Sequence, residues 1–155
     1  MARVINPTIH GVLDYALALA FLLAPGLVDF NDTAANLSYV IGIVYLAASL
    51  LTRYPLGAIH MIPFPVHGVI EATMAASWIV MPWLFGFAGD AAARNFFVAA
   101  GIGLLVVAAL TDYRAASVRS YAGDERRSNL IDRRQRALTV AVDRRIGGFD
   151  RREYA

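Results

Sequence analysis

The chain has 155 residues, of which 58% are hydrophobic and only 17% are charged. Soluble domains carry about 25% charged residues, so this composition argues against a soluble globular protein. Cysteine is absent, which excludes disulfides, thiol catalysis and iron–sulfur clusters. Residues 1–113 hold three arginines against six acids, whereas residues 114–155 hold eleven arginines against six acids.

Four apolar stretches follow one another within the first 113 residues. They run over residues 9–28, 34–51, 66–87 and 91–110. Each has the length needed to cross a hydrocarbon layer about 30 Å thick. We therefore predict an all-α membrane protein with a four-helix transmembrane domain over 1–113.

The longest loop of this domain connects the second and third stretches and contains His60. Pro63 and Pro65 favour an extended chain just before the third helix. A loop histidine is usually solvated, so His60 is expected to be exposed. If the protein binds a metal, His60 is the natural additional donor.

The arginine-rich tail, 114–155, contains one predicted helix. Ser128 and Asn129 supply a cap, and two glycines after residue 146 end a helix over about 130–146. Its apolar residues share one face, which is typical of an interfacial amphipathic helix. Four arginines can then contact anionic lipid head groups: Arg133, Arg136, Arg144 and Arg145. A solvated tail is the alternative, and the interleaved acids argue against nucleic-acid binding.

The transmembrane domain is an internal duplication of a two-helix unit. Residues 10–30 match residues 67–87, with the identical start His-Gly-Val and an acid four residues after each histidine. Residues 36–54 then match residues 95–113. We define repeat one as about 5–54 and repeat two as about 62–113. A unit with two crossings returns to its starting side, so the two repeats share one orientation.

The duplication places an imidazole and a carboxylate one helical turn apart in each repeat. These pairs are His10 with Asp14 and His67 with Glu71. Residues four apart share a helix face, and ionisable groups inside a membrane normally face the bundle interior. We expect the two pairs to face each other, shielded from lipid, with Arg53 or Tyr113 close enough to join them.

Three interpretations of this cluster remain open. In the first, the polar groups hold the helices together and the protein has no cofactor. In the second, His10 and His67 are axial haem ligands, or a divalent metal is bound by His10, Asp14, His67 and Glu71, with His60 as a further donor. In the third, the pairs relay protons or bind an ion during transport.

The repeats resemble the SPW-repeat family of small bacterial membrane proteins, named for a Ser-Pro-Trp motif in the first helix of each unit. The second repeat reads Met81-Pro82-Trp83 and the first reads Ala24-Pro25-Gly26, so the proline is kept in both. The resemblance covers about residues 5–114. It implies a membrane location and no established activity.

Arginine distribution predicts the orientation, because cytoplasmic segments carry an excess of arginine and lysine. Both termini are therefore expected in the cytoplasm, with the protein in the bacterial inner membrane. No nucleophile–base arrangement, phosphate loop or nucleotide signature is evident, which argues against a soluble-type enzyme. The leading hypothesis is a non-enzymatic structural or accessory component, as a homo-oligomer or a subunit of a larger complex. A haem- or metal-binding redox or transport protein is the alternative.

Overall fold

The computed structural model describes residues 4–113, 130–135 and 138. The chain divides into two compact units, Met1–Ser117 and Val118–Ala155. Four long helices form the described part of the first unit: α1 Pro7–Leu27, α2 Asp32–Leu51, α3 Phe64–Leu84 and α4 Ala91–Leu110. All four are long and apolar enough to cross a membrane. The predicted all-α fold with four transmembrane helices is confirmed.

Polar side chains start the helices, because the first backbone N–H groups of a helix need acceptors. Asn6 caps α1, Asn31 caps α2 and Asp90 caps α4. Asn31 and Asp90 occupy equivalent places in the two repeats and also bind each other. The backbone N and side-chain Nδ2 of Asn31 donate to Asp90 Oδ2 at 2.8 and 3.1 Å. Backbone N–H donors from Ala93 and Asn31 hold the pKa of the Asp90 carboxyl below its usual value.

At the opposite ends of the helices, the backbone joins each repeat to the other. Parallel bridges pair Ile5 with Thr111 and Thr52 with Ile62. Ile5 and Ile62 are equivalent positions, as are Thr52 and Thr111, so the two bridges are the same contact made twice. Each links the start of one repeat to the end of the other.

Within each hairpin, a repeated glycine lets the two helices pack closely. A Cβ atom on Gly101 would lie 2.6 Å from the carbonyl oxygen of Ala75, and one on its equivalent Gly42 would lie 3.2 Å from that of Ala18. Such small residues permit the close helix approach that membrane bundles use. Both hairpins therefore have a small packing face at the same position.

Aromatic rings fill the core between the cluster and the turns that contain Asn31 and Asp90. Phe21 and Trp78, which are equivalent positions, pack with ring centroids 4.6 Å apart, and Phe97 packs against Phe21 and Phe87. Large aliphatic side chains such as Leu19 and Ile43 are exposed on the outside. That distribution suits a bundle whose solvent is lipid.

The tail is described only in part. Residues 130–135 and 138 are helical, within the predicted helix over 130–146, and Arg133 is exposed. Arg136, Arg144 and Arg145 lie outside the described residues.

Candidate metal centre

Two helices supply the four ionisable side chains of the site. His10 and Asp14 lie one turn apart on α1, and His67 and Glu71 lie one turn apart on α3. All four are at most 1% exposed. As expected from the sequence, the pairs face each other across the bundle and away from lipid.

Each imidazole Nε2 lies between the two carboxylates. His10 Nε2 is 3.4 Å from Asp14 Oδ1 and 3.1 Å from Glu71 Oε2. His67 Nε2 is 3.3 Å from Asp14 Oδ2 and 3.3 Å from Glu71 Oε1. Neither Nε2 makes a hydrogen bond to the described residues. Both rings therefore direct their Nε2 atoms into the space between the two carboxylates.

Two threonines fix the protonation of the outer ring nitrogens. His10 Nδ1 is 2.9 Å from Thr111 Oγ1, and that hydroxyl donates to the Val107 carbonyl at 2.7 Å. A hydroxyl has one proton, and this one is used on the helix carbonyl, so Thr111 must accept from Nδ1–H. In a neutral His10 ring, Nε2 therefore carries the lone pair.

The second histidine is held in the same way. His67 Nδ1 is 2.8 Å from Thr52 Oγ1, and that hydroxyl donates to the Ala48 carbonyl at 2.7 Å. Each threonine is the C-cap residue of the second helix of the other repeat. Each histidine is thus oriented by the repeat to which it does not belong.

Tyrosine hydroxyls orient the carboxylates. Tyr45 Oη lies 3.0 Å from Asp14 Oδ1 and 2.5 Å from Glu71 Oε1. Tyr113 donates to Glu71 Oε2 at 3.1 Å. Burial and the charge of Glu71 raise the pKa of the Tyr113 hydroxyl above its usual value, so the hydroxyl keeps its proton and acts as donor.

An aromatic group closes the cluster on the side of the two backbone bridges. The Phe64 ring packs edge-on against His10 with centroids 5.1 Å apart and stacks on His67 at 6.3 Å. Tyr54 and Tyr113 pack against Phe64 in turn. Phe64 is itself only 1% exposed, and both histidines beneath it are fully buried.

The loop residues considered in the sequence lie apart from this cluster. Arg53 is exposed, and its Nε donates to the His60 carbonyl at 2.6 Å. His60 is itself exposed, with φ 55, and is not in the group of four buried ligand atoms. Of the two candidates for joining the network, Tyr113 does so.

The four side chains form a donor set of two imidazoles and two carboxylates. Taking one ligand atom from each residue, all four atoms lie within 4.8 Å of one another. Two nitrogen and two oxygen donors suit zinc, iron or manganese. In metal sites, a ligating histidine almost always donates its other N–H to a nearby acceptor. Thr111 and Thr52 are such acceptors for His10 and His67.

The sequence did not predict the contacts that three residues make with the cluster: Thr52, Thr111 and Tyr45. Thr52 and Thr111 were visible as a repeated pair, one residue beyond the helices, and that repetition was their signal. Tyr45 gave no signal, because its equivalent in repeat two is Leu104. Because the Tyr45 hydroxyl occurs in one repeat only, its part in the cluster could be found only from the structure.

Four membrane-spanning helices around a buried histidine–carboxylate cluster define a small polytopic membrane protein built from two repeats. The SPW repeat domain family model matches residues 8–111, so the chain belongs to the SPW repeat family. The resemblance seen in the sequence is confirmed. No curated protein and no solved structure matches the chain.

Proposed function

We propose that this protein binds one divalent transition-metal ion between its repeats. The ligands are Nε2 of His10, Nε2 of His67 and a carboxylate oxygen from each of Asp14 and Glu71. The observation that carries the proposal is the pair of threonine hydroxyls. Because each hydroxyl donates to a helix carbonyl, it accepts Nδ1–H from its histidine and so leaves the Nε2 lone pair directed at the carboxylates.

The distances support a metal site over a pair of imidazolium–carboxylate hydrogen bonds. Charge-assisted N–H···O bonds are about 2.7–2.9 Å long, and each N–H points at one acceptor. Here each Nε2 has two carboxylate oxygens at 3.1–3.4 Å. A tetrahedral ion with bonds of about 2.0–2.1 Å separates its ligand atoms by about 3.3 Å.

Charge supports the same conclusion. Two buried carboxylates carry two negative charges in a setting where unpaired charge is costly. Among the described residues, Arg53 is exposed, and Arg94 donates to Ala88 in the turn before α4. A dication neutralises both carboxylates. Without it, the cluster must hold protons instead.

The Tyr45 hydroxyl shows where such protons would lie. It has one proton but two carboxylate oxygens, at 3.0 and 2.5 Å. The tyrosine proton can be donated to only one of these two carboxylates. The other contact therefore needs a proton on that carboxyl group. We therefore infer that the metal-free cluster is protonated and that a metal ion displaces these protons.

A single ion fits the cluster better than a haem. A bis-histidine haem needs a porphyrin between the two rings. The carboxylates of Asp14 and Glu71 lie there, within 3.4 Å of the Nε2 atoms. Removing them would leave the Tyr45 hydroxyl without its acceptors.

The ligand set also favours a structural role. Sites with four protein ligands are typically structural, whereas catalytic sites keep one position open. The cluster lies between α1 and α3, so an ion there would fasten the two repeats together. This agrees with a non-enzymatic accessory protein, which we place in the inner membrane with both termini in the cytoplasm because of the arginine distribution.

The test is metal content of the full-length protein, purified without chelator and after reconstitution with zinc, ferrous iron or manganese. We expect about one ion per chain. His10→Gln combined with His67→Gln should bind none while keeping the helical circular dichroism spectrum. His60→Gln, which changes an exposed histidine outside the cluster, is the matched control and should bind metal as the native chain does.

Two outcomes contradict the proposal. One is a native chain that takes up none of the three metals at neutral pH. The other is a double variant that still binds metal but loses thermal stability, which would leave the cluster as polar contacts between helices.

A further inference from the structure

An open groove of about 1260 Å³ runs along the outside of the bundle between α3 and α4. Small side chains of α3 line it, among them Ala72 and Ala76, and Tyr113 lies in its wall beyond the end of α4. We call it the tyrosine groove. The Tyr113 hydroxyl donates to Glu71 Oε2 at 3.1 Å. Tyr113 therefore touches both the groove and a carboxylate of the cluster.

The equivalent place in repeat one is closed. Tyr54 is the equivalent of Tyr113, but it is only 3% exposed, whereas Tyr113 is half-buried. In place of Ala72, repeat one has Tyr15, whose hydroxyl is hydrogen-bonded to the loop after α2. A large side chain on a helix covers the turn on its N-terminal side, which for Tyr15 contains Gly11. A Cβ atom on Gly11 would meet the Tyr54 ring, so Tyr15 covers the place where Tyr54 packs.

The tyrosine groove reaches the ends of its two helices, where the chain leaves the membrane. Pro65 lies in the first turn of α3, and Tyr113 lies just beyond α4. A second groove, between α1 and α4, also reaches the cluster at Asp14, but its wall on α1 begins only at Leu13. Leu13 lies about 9 Å along the helix axis from the first residue of α1. A hydrated ion would have to pass through lipid to reach that second groove, which is costly.

We propose that a metal ion enters and leaves the cluster through the tyrosine groove, when the Tyr113 ring swings outward and uncovers Glu71. The inference rests on the metal site proposed above. The ring lies directly on Gly68, where a Cβ atom would be 2.6 Å from its Cε1 atom, and Ala72 leaves the space beyond it unfilled. Once the ring has moved, Glu71 Oε2 has lost its donor and is the first ligand atom that the ion meets.

The test uses full-length protein in detergent, with zinc as the probe. Stopped flow follows zinc uptake and zinc release to a chromogenic chelator, and the dissociation constant is measured separately. Ala72→Tyr places in repeat two the side chain that covers repeat one. Both rates should fall several-fold while the dissociation constant stays the same, because a route affects rates and not the equilibrium. Val80→Tyr is the matched control, because Val80 is an exposed residue of the same groove, farther along α3 from Tyr113, and should exchange zinc at native rates.

A second pair of variants tests the hydroxyl. Tyr113→Phe removes the bond that holds the ring to Glu71, so both rates should rise at least about tenfold, the factor that one hydrogen bond to a carboxylate contributes. Tyr54→Phe is the matched control and should keep native rates, because the buried Tyr54 hydroxyl makes no hydrogen bond to the described residues.

Equal rates in the two phenylalanine variants would overturn the proposed route. So would native rates in a folded Ala72→Tyr protein that binds zinc. A native chain that binds no zinc would contradict the metal site itself, and the route with it.

Discussion

Replacing Thr111 with valine removes one hydroxyl and almost no volume. His10 Nδ1 then loses the acceptor 2.9 Å away. A buried donor left without a partner costs about 1–3 kcal/mol of stability. The same loss frees the imidazole to turn, and removal of such an outer partner lowers metal affinity by about 10–100-fold.

The two effects separate when stability is measured with and without metal. At a free metal concentration of about 100 times the native dissociation constant, binding stabilises the native protein by about 2.7 kcal/mol. If Thr111→Val weakens affinity by about 30-fold, the same metal concentration adds only about 0.9 kcal/mol. The variant should therefore lose most of its metal-dependent stabilisation in addition to its metal-free loss.

Thermal unfolding in detergent, with and without zinc, measures both quantities. Thr73→Val is the matched control, because Thr73 also donates to a helix carbonyl, that of Val69, at 3.0 Å, but is exposed and has no hydrogen bond to a histidine among the described residues. Thr52→Val should behave as Thr111→Val does. If zinc stabilises Thr111→Val as much as the native protein, the assignment of Nδ1–H to the threonine is wrong.

Four further outcomes are expected. Metal binding should release about two protons per ion, seen in calorimetry as an enthalpy that depends on the buffer, because a dication replaces the protons of the cluster. Phe64→Ala should lower the unfolding free energy by about 3–5 kcal/mol and speed the removal of metal by chelator, since the ring covers both histidines. Asp90→Ala should cost about 1–2 kcal/mol by removing the α4 cap. Because folding lowers the pKa of Asp90, its contribution is present at neutral pH and is lost as the pH falls below the usual aspartate value. Reporter fusions after Ala155 and within residues 31–33 should lie on opposite sides of the membrane; the same side for both would contradict four crossings.

The helices and the pairing of the repeats could be predicted, because the apolar stretches and the duplicated segments are both visible in the sequence. The lengths of the apolar stretches predicted four membrane spans. The two matching His-Gly-Val segments predicted that both histidines lie at the same depth in the membrane. The facing of the two pairs followed from the cost of exposing them to lipid.

The surroundings of the cluster could not be predicted in the same way. Tyr45 contacts two carboxylates from the C-terminal half of α2, and its equivalent Leu104 is apolar, so the repeat does not mark it. Phe64 covers the histidines from a position just before the third predicted span. Arg53 had the right charge to join the carboxylates, but the bridge at Thr52 directs the chain toward the His60 carbonyl instead. These contacts depend on tertiary geometry.

The exchange of threonines between the repeats has a consequence for the history and assembly of the chain. His10 is oriented by Thr111, and His67 by Thr52. A single two-helix unit would therefore contain a histidine and a threonine that cannot reach each other. A two-helix unit of this kind could make these contacts only as a homodimer, with the cluster on its two-fold axis. Two repeats in one chain make that partner permanent and allow the halves to differ, as Asp14 and Glu71 do. Cutting the chain in the loop over 55–61 and producing the two halves together should restore the complete cluster, whereas either half alone should not form it.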